Sequence, residues 1–183
     1  MEELDGHMVE QAFAGDGPAF SRVVERYQGP VYGLCVRMLR GSEGEDAAQE
    51  TFLRAFVHRE RFEPGRPVLP WLLAIARRLC LDRIRKRKPE LDGEMDQRAA
   101  SSESINAEDR LIASEQVARL QDRLSSMEAG QREAIVLFHL EGLSYRDIAD
   151  VLEVPMGTVM TWLHRGRREL RRALEAEPAQ EAS

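Results

Sequence analysis

The sequence predicts an all-α fold of two small helical domains joined by a flexible acidic linker, the second domain ending in a helix-turn-helix. Three observations predict it. Apolar residues recur at helical spacing along residues 8–88 and again along 114–174. Between them the polar run ELDGEMDQRAASSESINAED, within residues 89–113, shows little periodicity and reads as a tether. Near the end, Gly142 to Leu170 reads as two short helices around a tight turn. Residues 175–183 form a polar tail expected to fray.

The first helix is expected from Met8 to Ala14, stopped by Gly15-Asp16-Gly17. Pro18 begins the next, whose apolar stripe is Phe20, Val23, Val24 and Tyr27, and Gly29-Pro30 is expected to interrupt it. A separate third helix then carries Val31, Leu34, Cys35, Met38 and Leu39 to Gly41. Ser42 opens S-E-G-E, a capping box with Glu45 as return partner. The helix that follows, EDAAQETFLRAF, buries Ala48, Phe52, Ala55 and Phe56 and shows solvent Asp46, Gln49, Glu50 and Arg54. Three prolines and a glycine make Phe62 to Pro70 a semi-rigid loop. Trp71 then opens WLLAIARRLCLDRIRKRK, with Leu72, Ile75, Ala76, Leu79, Cys80 and Ile84 on one side and a basic ridge on the other, ended by Pro89. Helical spacing resumes with Leu111, Val117, Leu120, Leu124 and Met127, and again through Ile135 to Leu140.

In the stretch GLSYRDIADVLEVPMGTVMTWLHRGRREL, Ser144 is placed to cap a helix and Asp147 to close a capping box. Tyr145, Ile148, Ala149 and Leu152 make its apolar face, and the small Ala149 suits a close helix crossing. Pro155 and Gly157 stop and restart the chain. A second helix is expected from Thr158, with Val159, Trp162, Leu163, Gly166 and Leu170 inward. Its outer face carries Met160, Thr161, His164, Arg165, Arg167, Arg168, Arg171 and Arg172. In a helix-turn-helix such a helix enters the major groove, its first residues on base edges and its basic end near phosphates. A helical hairpin with a solvated basic face would share the periodicity, but not the small inner residue, the turn and the one-sided arginines together.

The 183 residues allow one or two domains, and an apolar fraction of 43% is enough for packed helical cores. A net charge of −6 suits a DNA binder poorly until it is divided by segment. Residues 71–88 hold seven basic side chains against Asp82, and residues 155–173 hold five arginines against Glu169. The intervening residues 89–115 hold eight acids against Arg98 and Arg110, so two basic surfaces flank an acidic connector. Cys35 and Cys80 each sit in an apolar helical pattern without CxxC or a histidine at ligand spacing, so buried free thiols are expected ahead of a disulfide or metal site. The acidic start MEELDGHMVE is unlike a signal peptide and no run of roughly 18 apolar residues occurs, so a cytoplasmic protein without membrane insertion is expected.

Three stretches, EDAAQETFLRAF, WLLAIARRLCLDRIRKRK, and GLSYRDIADVL followed by PMGTV, occur in an order and spacing that resembles the extracytoplasmic-function class of bacterial sigma factors, in the sigma-70 family. The resemblance covers about Phe13 to Leu174. It implies a promoter-reading subunit of RNA polymerase that is not an enzyme and needs no cofactor or metal. By resemblance, Asp46, Gln49, Glu50 and Arg54 dock on the beta-prime subunit of the core, which also includes the beta subunit. Phe62, Arg66 and Trp71 belong to the region that holds the non-template strand of the minus-ten element, with Arg77, Arg78, Arg83, Arg85 and Lys86 on phosphates or upstream duplex. Met160, Thr161, His164 and Arg165 read the duplex minus-thirty-five element, with Thr158, Arg167 and Arg168 near the backbone.

The same resemblance implies an anti-sigma partner, a monomer when no partner is bound, and association with the nucleoid through polymerase. The sequence departs from the family pattern at Glu153, where glycine is usual, and at Met160 and Trp162, where basic residues are common. Met160 removes a charge from the reading face and offers contact to a thymine methyl. An autonomous helix-turn-helix activator or repressor is the competing expectation, but it leaves the ridge at Trp71 to Lys88 without a role. A nucleic-acid enzyme has no support from metal-spaced ligands, a nucleophile with its base, or a phosphate-cradling glycine loop.

Overall fold

The structure, a computed structural model, describes residues 4–39, 42–87, 123–124 and 126–175. Every regular element among them is helical, and the chain divides into two compact units, Met1–Glu94 and Met95–Ser183. The acidic linker expected at 89–113, the helical positions Leu111, Val117 and Leu120, and the tail beyond Glu175 lie outside the described residues.

In the first unit, helix α1 spans Gly6–Ala14, starting two residues ahead of the expected Met8. It stops where Gly15 turns left-handed at φ 103° and donates its N–H to the carbonyl of Ala12. One residue on, the Asp16 carboxylate accepts the N–H of Ala19 at 2.7 Å and caps α2, Gly17–Met38, with Pro18 inside its first turn.

α2 corrects the sequence expectation, because it runs unbroken through Gly29 and Pro30. A proline inside a helix costs about 3 kcal/mol for its missing N–H and its ring clash. Against that cost, Phe20, Val23, Tyr27, Val31, Leu34 and Cys35 form one buried stripe on both sides of the proline. A break at Pro30 would throw half of that stripe off the core, so burial outweighs the local signal.

α3 spans Ser42–Val57. Ser42 is its first helical residue and not the expected N-cap, since the helix starts one residue sooner and the cap falls outside the described residues. Glu45, cast as the return partner of that box, instead accepts the Tyr32 hydroxyl at 3.3 Å. Gly44 lets α3 press on α2, for a Cβ there would stand 2.8 Å from the Val36 Cα. Ala47, Ala48, Thr51, Phe52 and Ala55 are buried, while Phe56 is half-buried with its ring 5.0 Å from Phe20. The buried Thr51 hydroxyl donates to the Ala47 carbonyl at 2.8 Å.

A 3-10 turn at Arg59–Arg61 leads to Phe62, and α4 spans Val68–Arg87. The proline-rich loop is thus shorter than expected at its far end. Val68 and Leu69 are buried helical residues, and Pro70 lies in the first turn, where a missing N–H forfeits no helical bond. α4 packs against both α2 and α3, which widens its buried face to include Leu73 beside Leu72, Ala76, Leu79 and Cys80; Ile75 and Ile84 are only half-buried. Cys35 and Cys80 are buried free thiols.

The second unit contains α5 (Ala129–His139), α6 (Tyr145–Leu152) and α7 (Met156–Glu175). Ala134, Ile135, Val136 and Leu137 bury one side of α5, joined by Met127 ahead of it. Two glycines set how near α5 and α7 approach. A Cβ on Gly130 would lie 2.4 Å from the Trp162 ring, and one on Gly166 would lie 2.7 Å from the Ile135 side chain. α7 packs on both α5 and α6.

Candidate nucleic-acid interface

The two helices at the end of the second unit are held by local chemistry. The Ser144 hydroxyl accepts the Asp147 N–H at 3.2 Å, and the Asp147 carboxylate accepts the Ser144 N–H at 3.3 Å, so the expected capping box is complete. Glu153 ends α6 in the left-handed region at φ 57°, ψ 44°, the region that a glycine there would enter without strain. The chain then reverses. Val154 N–H reaches the Ala149 carbonyl, and the Pro155 carbonyl accepts from Thr158 at 2.8 Å and from Val159 at 3.3 Å. Those bonds start α7 at Met156, two residues before the expected Thr158, because a proline carbonyl serves the first turn as well as any other.

Val159, Leu163 and Gly166 face inward and are buried, with Trp162 and Leu170 half-buried beside them. Met160, Thr161, His164, Arg165, Arg168, Arg171 and Arg172 are exposed on the other side, and Thr158 is half-buried at the edge. Arg167 differs from its neighbours. Its guanidinium lies 4.6 Å over the Phe138 ring and its Nε donates to His139 Nε2 at 3.2 Å, tying α7 to α5. Such a bond needs a neutral ring lone pair. Although His139 as a residue is exposed, desolvation of the ring, with the Arg167 charge second, holds its pKa below the usual histidine value. Thr161 also turns inward chemically, its hydroxyl donating to the Gly157 carbonyl at 2.9 Å.

In the first unit, Asp46 and Gln49 are exposed on α3, flanked by Leu53 at 68% and Val57 at 63% exposure. These two apolar residues were not singled out from sequence. Gln49, Leu53 and Val57 follow one another at a spacing of four, off the Ala48, Phe52 and Ala55 stripe, and that was the available signal.

Glu50 is shared between two arginines. One carboxylate oxygen accepts Arg54 Nε at 2.9 Å and a terminal nitrogen at 2.6 Å, while the other accepts Arg83 of α4 at 2.6 Å. Arg83 further donates to the Glu43 carbonyl at 2.9 Å. The Arg83 bond, opposed by burial and assisted by Arg54, holds the Glu50 carboxyl below the usual glutamate value. A residue read as a phosphate contact and one read as a protein contact are therefore partners of each other.

The aromatic candidates pack on one another. Phe62 is buried and stacks on Phe13 at 4.0 Å, and the Trp71 ring meets both edge-on at 5.4 Å. In the adjoining loop, residues 63–67, Gly65 is left-handed at φ 83° and exposed Arg66 lies 3.5 Å from Glu63. On α4, Arg78, Arg85 and Lys86 are exposed and Arg77 is half-buried. Arg85 sits 3.7 Å from Asp82. No cluster of side chains suited to a metal ion occurs among the described residues, and none of the described helices is long and apolar enough to cross a membrane.

Comparison with known proteins sets this geometry in a family. Residues 23–90 match the family described as sigma-70 region 2, and residues 118–170 match sigma-70 region 4. The chain is 36% identical over 186 residues to the ECF RNA polymerase sigma factor SigW of Bacillus subtilis, covering 95% of this chain and 98% of that one. It is 30% identical over 184 residues to the RNA polymerase sigma-H factor of Pseudomonas aeruginosa, covering 95% of each. Among solved structures it resembles CnrH in complex with the cytosolic domain of CnrY, with a TM-score of 0.66, 26% identity, and 94% and 98% of the two chains covered. The sigma factor RpoE in complex with the anti-sigma factor NepR from Bartonella quintana shares the fold at a TM-score of 0.65 and 23% identity, covering 86% and 98%.

Proposed function

The chain belongs to the extracytoplasmic-function sigma factors of the sigma-70 family, RNA polymerase subunits that direct promoter-specific transcription, and on that premise we propose how its surfaces divide the work. Asp46 and Gln49, with Leu53 and Val57 beside them, dock on core RNA polymerase. The pairing of register-setting polar groups with exposed apolar area is the usual make-up of a protein interface. Glu50 and Arg54 hold that face in shape.

Single-stranded minus-ten DNA runs over the 63–67 loop, which is flanked in sequence by the paired rings of Phe62 and Trp71, with Arg66 at the loop and Arg77, Arg78, Arg85 and Lys86 along the backbone. Arg83, committed to Glu50 and Glu43, supports the ridge and does not carry phosphate. In the second unit, Met160, Thr161, His164 and Arg165 face the base edges of the minus-thirty-five duplex. Thr158 and Arg168 serve its backbone, and Arg167 braces the helix. Domain limits of 8–88 and 114–174, with 89–113 as connector and 175–183 as tail, follow from the same division.

Such a protein melts promoters by binding and catalyses no reaction itself. It works in the cytoplasm with RNA polymerase and reaches the nucleoid through it. With no partner bound it is a monomer, and free of polymerase it is held by an anti-sigma partner, a reading supported by the solved relative CnrH being in complex with the cytosolic domain of CnrY. Purification of the native protein with no inhibitor attached would count against that partner.

The observation that carries the polymerase reading is the exposed Leu53 and Val57 beside Asp46 and Gln49, a surface composed as a protein interface within the stretch that matches sigma-70 region 2. Run-off transcription with bacterial core polymerase on promoter fragments from the source genome tests it. New transcripts are expected, and they should vanish when Asp46, Gln49 and Leu53 are replaced by alanine. Tight duplex binding by the protein alone, with no association with core and no transcripts, would overturn the reading.

A further inference from the structure

We propose that the first two turns of α7 read thymine methyl groups in the minus-thirty-five element through Met156 and Met160. The inference rests on the assignment of α7 to that element. Met156 is 51% and Met160 50% exposed, and they stand four residues apart on one edge of the helix that carries Arg165, Arg168, Arg171 and Arg172. The exposed arginines make the occupant of this surface an anionic duplex and not an apolar protein groove.

Because α7 begins at Met156, both methionines belong to the end of the helix that meets base edges in a helix-turn-helix. Gly157 between them adds no side chain, and a Cβ built there would meet nothing within 4 Å, so the corner is open to a closely approaching groove wall. Thr161, next on this surface, has its hydroxyl proton engaged by the Gly157 carbonyl, which leaves it poorer as a donor to bases. The apolar feature that the major groove offers to such side chains is the C5-methyl of thymine. Methionine suits it, being flexible enough to follow a methyl whose position shifts with local helix geometry.

The test uses holoenzyme assembled from bacterial core polymerase and the full chain. Promoter duplexes with a randomised minus-thirty-five region are selected by binding, and each thymine of the enriched sequence is then replaced by deoxyuridine, which removes only the methyl. Wild-type holoenzyme should enrich thymine and lose about fourfold in affinity for each contacted methyl removed, the worth of one buried methyl group. M156A and M160A should each bind the thymine duplex as weakly as wild type binds its deoxyuridine counterpart, and should lose nothing further on removal of that methyl. Equal affinity for thymine and deoxyuridine duplexes, or full methyl dependence in both variants, would overturn the proposal while leaving the minus-thirty-five assignment standing. Failure to enrich any sequence in that region would overturn the assignment itself, and the methionine proposal with it.

Discussion

Replacing Glu50 separates two roles that one carboxylate is able to play, polymerase contact and internal clasp. In the clasp, Glu50 bonds Arg83 at 2.6 Å and Arg54 at 2.6 and 2.9 Å, and Arg83 reaches back to the Glu43 carbonyl. The two side chains are 35% and 26% exposed, so solvent screens the pair and its coupling belongs near the top of the surface range, about 1 kcal/mol. Removing Arg83 also forfeits the bond to Glu43, adding about 1 kcal/mol, so R83A should cost about 2 kcal/mol against about 1 for E50A.

The two cysteines of the chain report on this unit alone. Cys35 and Cys80 are both buried in it, and their labelling by a thiol reagent in graded urea follows its unfolding without interference from the second unit. The double variant should cost about 1 kcal/mol less than the sum of the single ones. Affinity for core polymerase should fall alike in E50A, R83A and their combination, because each loosens the same junction between α3 and α4. An additive cycle, with coupling under about 0.3 kcal/mol, together with core affinity lost in E50A and kept in R83A, would refute the clasp and return Glu50 to the polymerase surface. The pH dependence has a definite sign. The folded pKa of Glu50 is lowered, so its contribution is fully present above the unfolded value of about 4.3 and is lost as pH falls through the lower folded value. The stability difference between wild type and E50Q should therefore shrink only below about pH 4.3.

Glycine at position 153 should relieve the left-handed strain of Glu153 and raise the melting temperature of the second unit, by a net gain of about 0.5 kcal/mol after the entropy that glycine costs. S144A removes the hydroxyl half of the capping box, leaving the backbone N–H of residue 144 on Asp147, and should destabilise the same unit by about 1 kcal/mol, read by urea unfolding. G130A drives a methyl into the Trp162 ring and should cost about 1–3 kcal/mol, with a changed Trp162 emission in the folded state, whereas an unaltered emission and stability would contradict the close approach of α5 and α7. R168A should weaken binding of all duplexes alike and reduce the salt slope by about 1, measured with holoenzyme across a salt series.

What could be read from sequence tracks how near each cause lies in the chain. The Ser144 capping box closes within three residues, Gly15 ends the first helix, and the inward set Val159, Leu163 and Gly166 obeys a single period. All were legible. Pro30 misled because a breaker acts locally, whereas the stripe from Phe20 to Cys35 that carries the helix through it draws its energy from α3 and α4. Val68 and Leu69 were assigned to a loop for the related reason that prolines cluster around them, although a first turn tolerates proline.

The basic residues show the same limit with more consequence for function. Sequence reading placed Arg83 with its α4 neighbours on phosphates or upstream duplex, and Arg167 of α7 near the DNA backbone. Yet Arg83 pairs with Glu50, thirty-three residues away, and Arg167 lies on Phe138 and His139 from another helix. An arginine with two groups already in place around it gives up those contacts to reach a phosphate, so its net gain there is smaller than that of an arginine with none to give up. Arg78, Arg85 and Lys86 on α4, and Arg165, Arg168, Arg171 and Arg172 on α7, are the exposed basic set. Division of labour between bracing and binding arginines follows from this. The bracing pair holds α3 to α4 and α5 to α7, and so fixes the helices that carry the exposed set. Substitutions of Arg83 or Arg167 should then alter promoter selection with little change in salt slope, the reverse of what loss of an exposed arginine does.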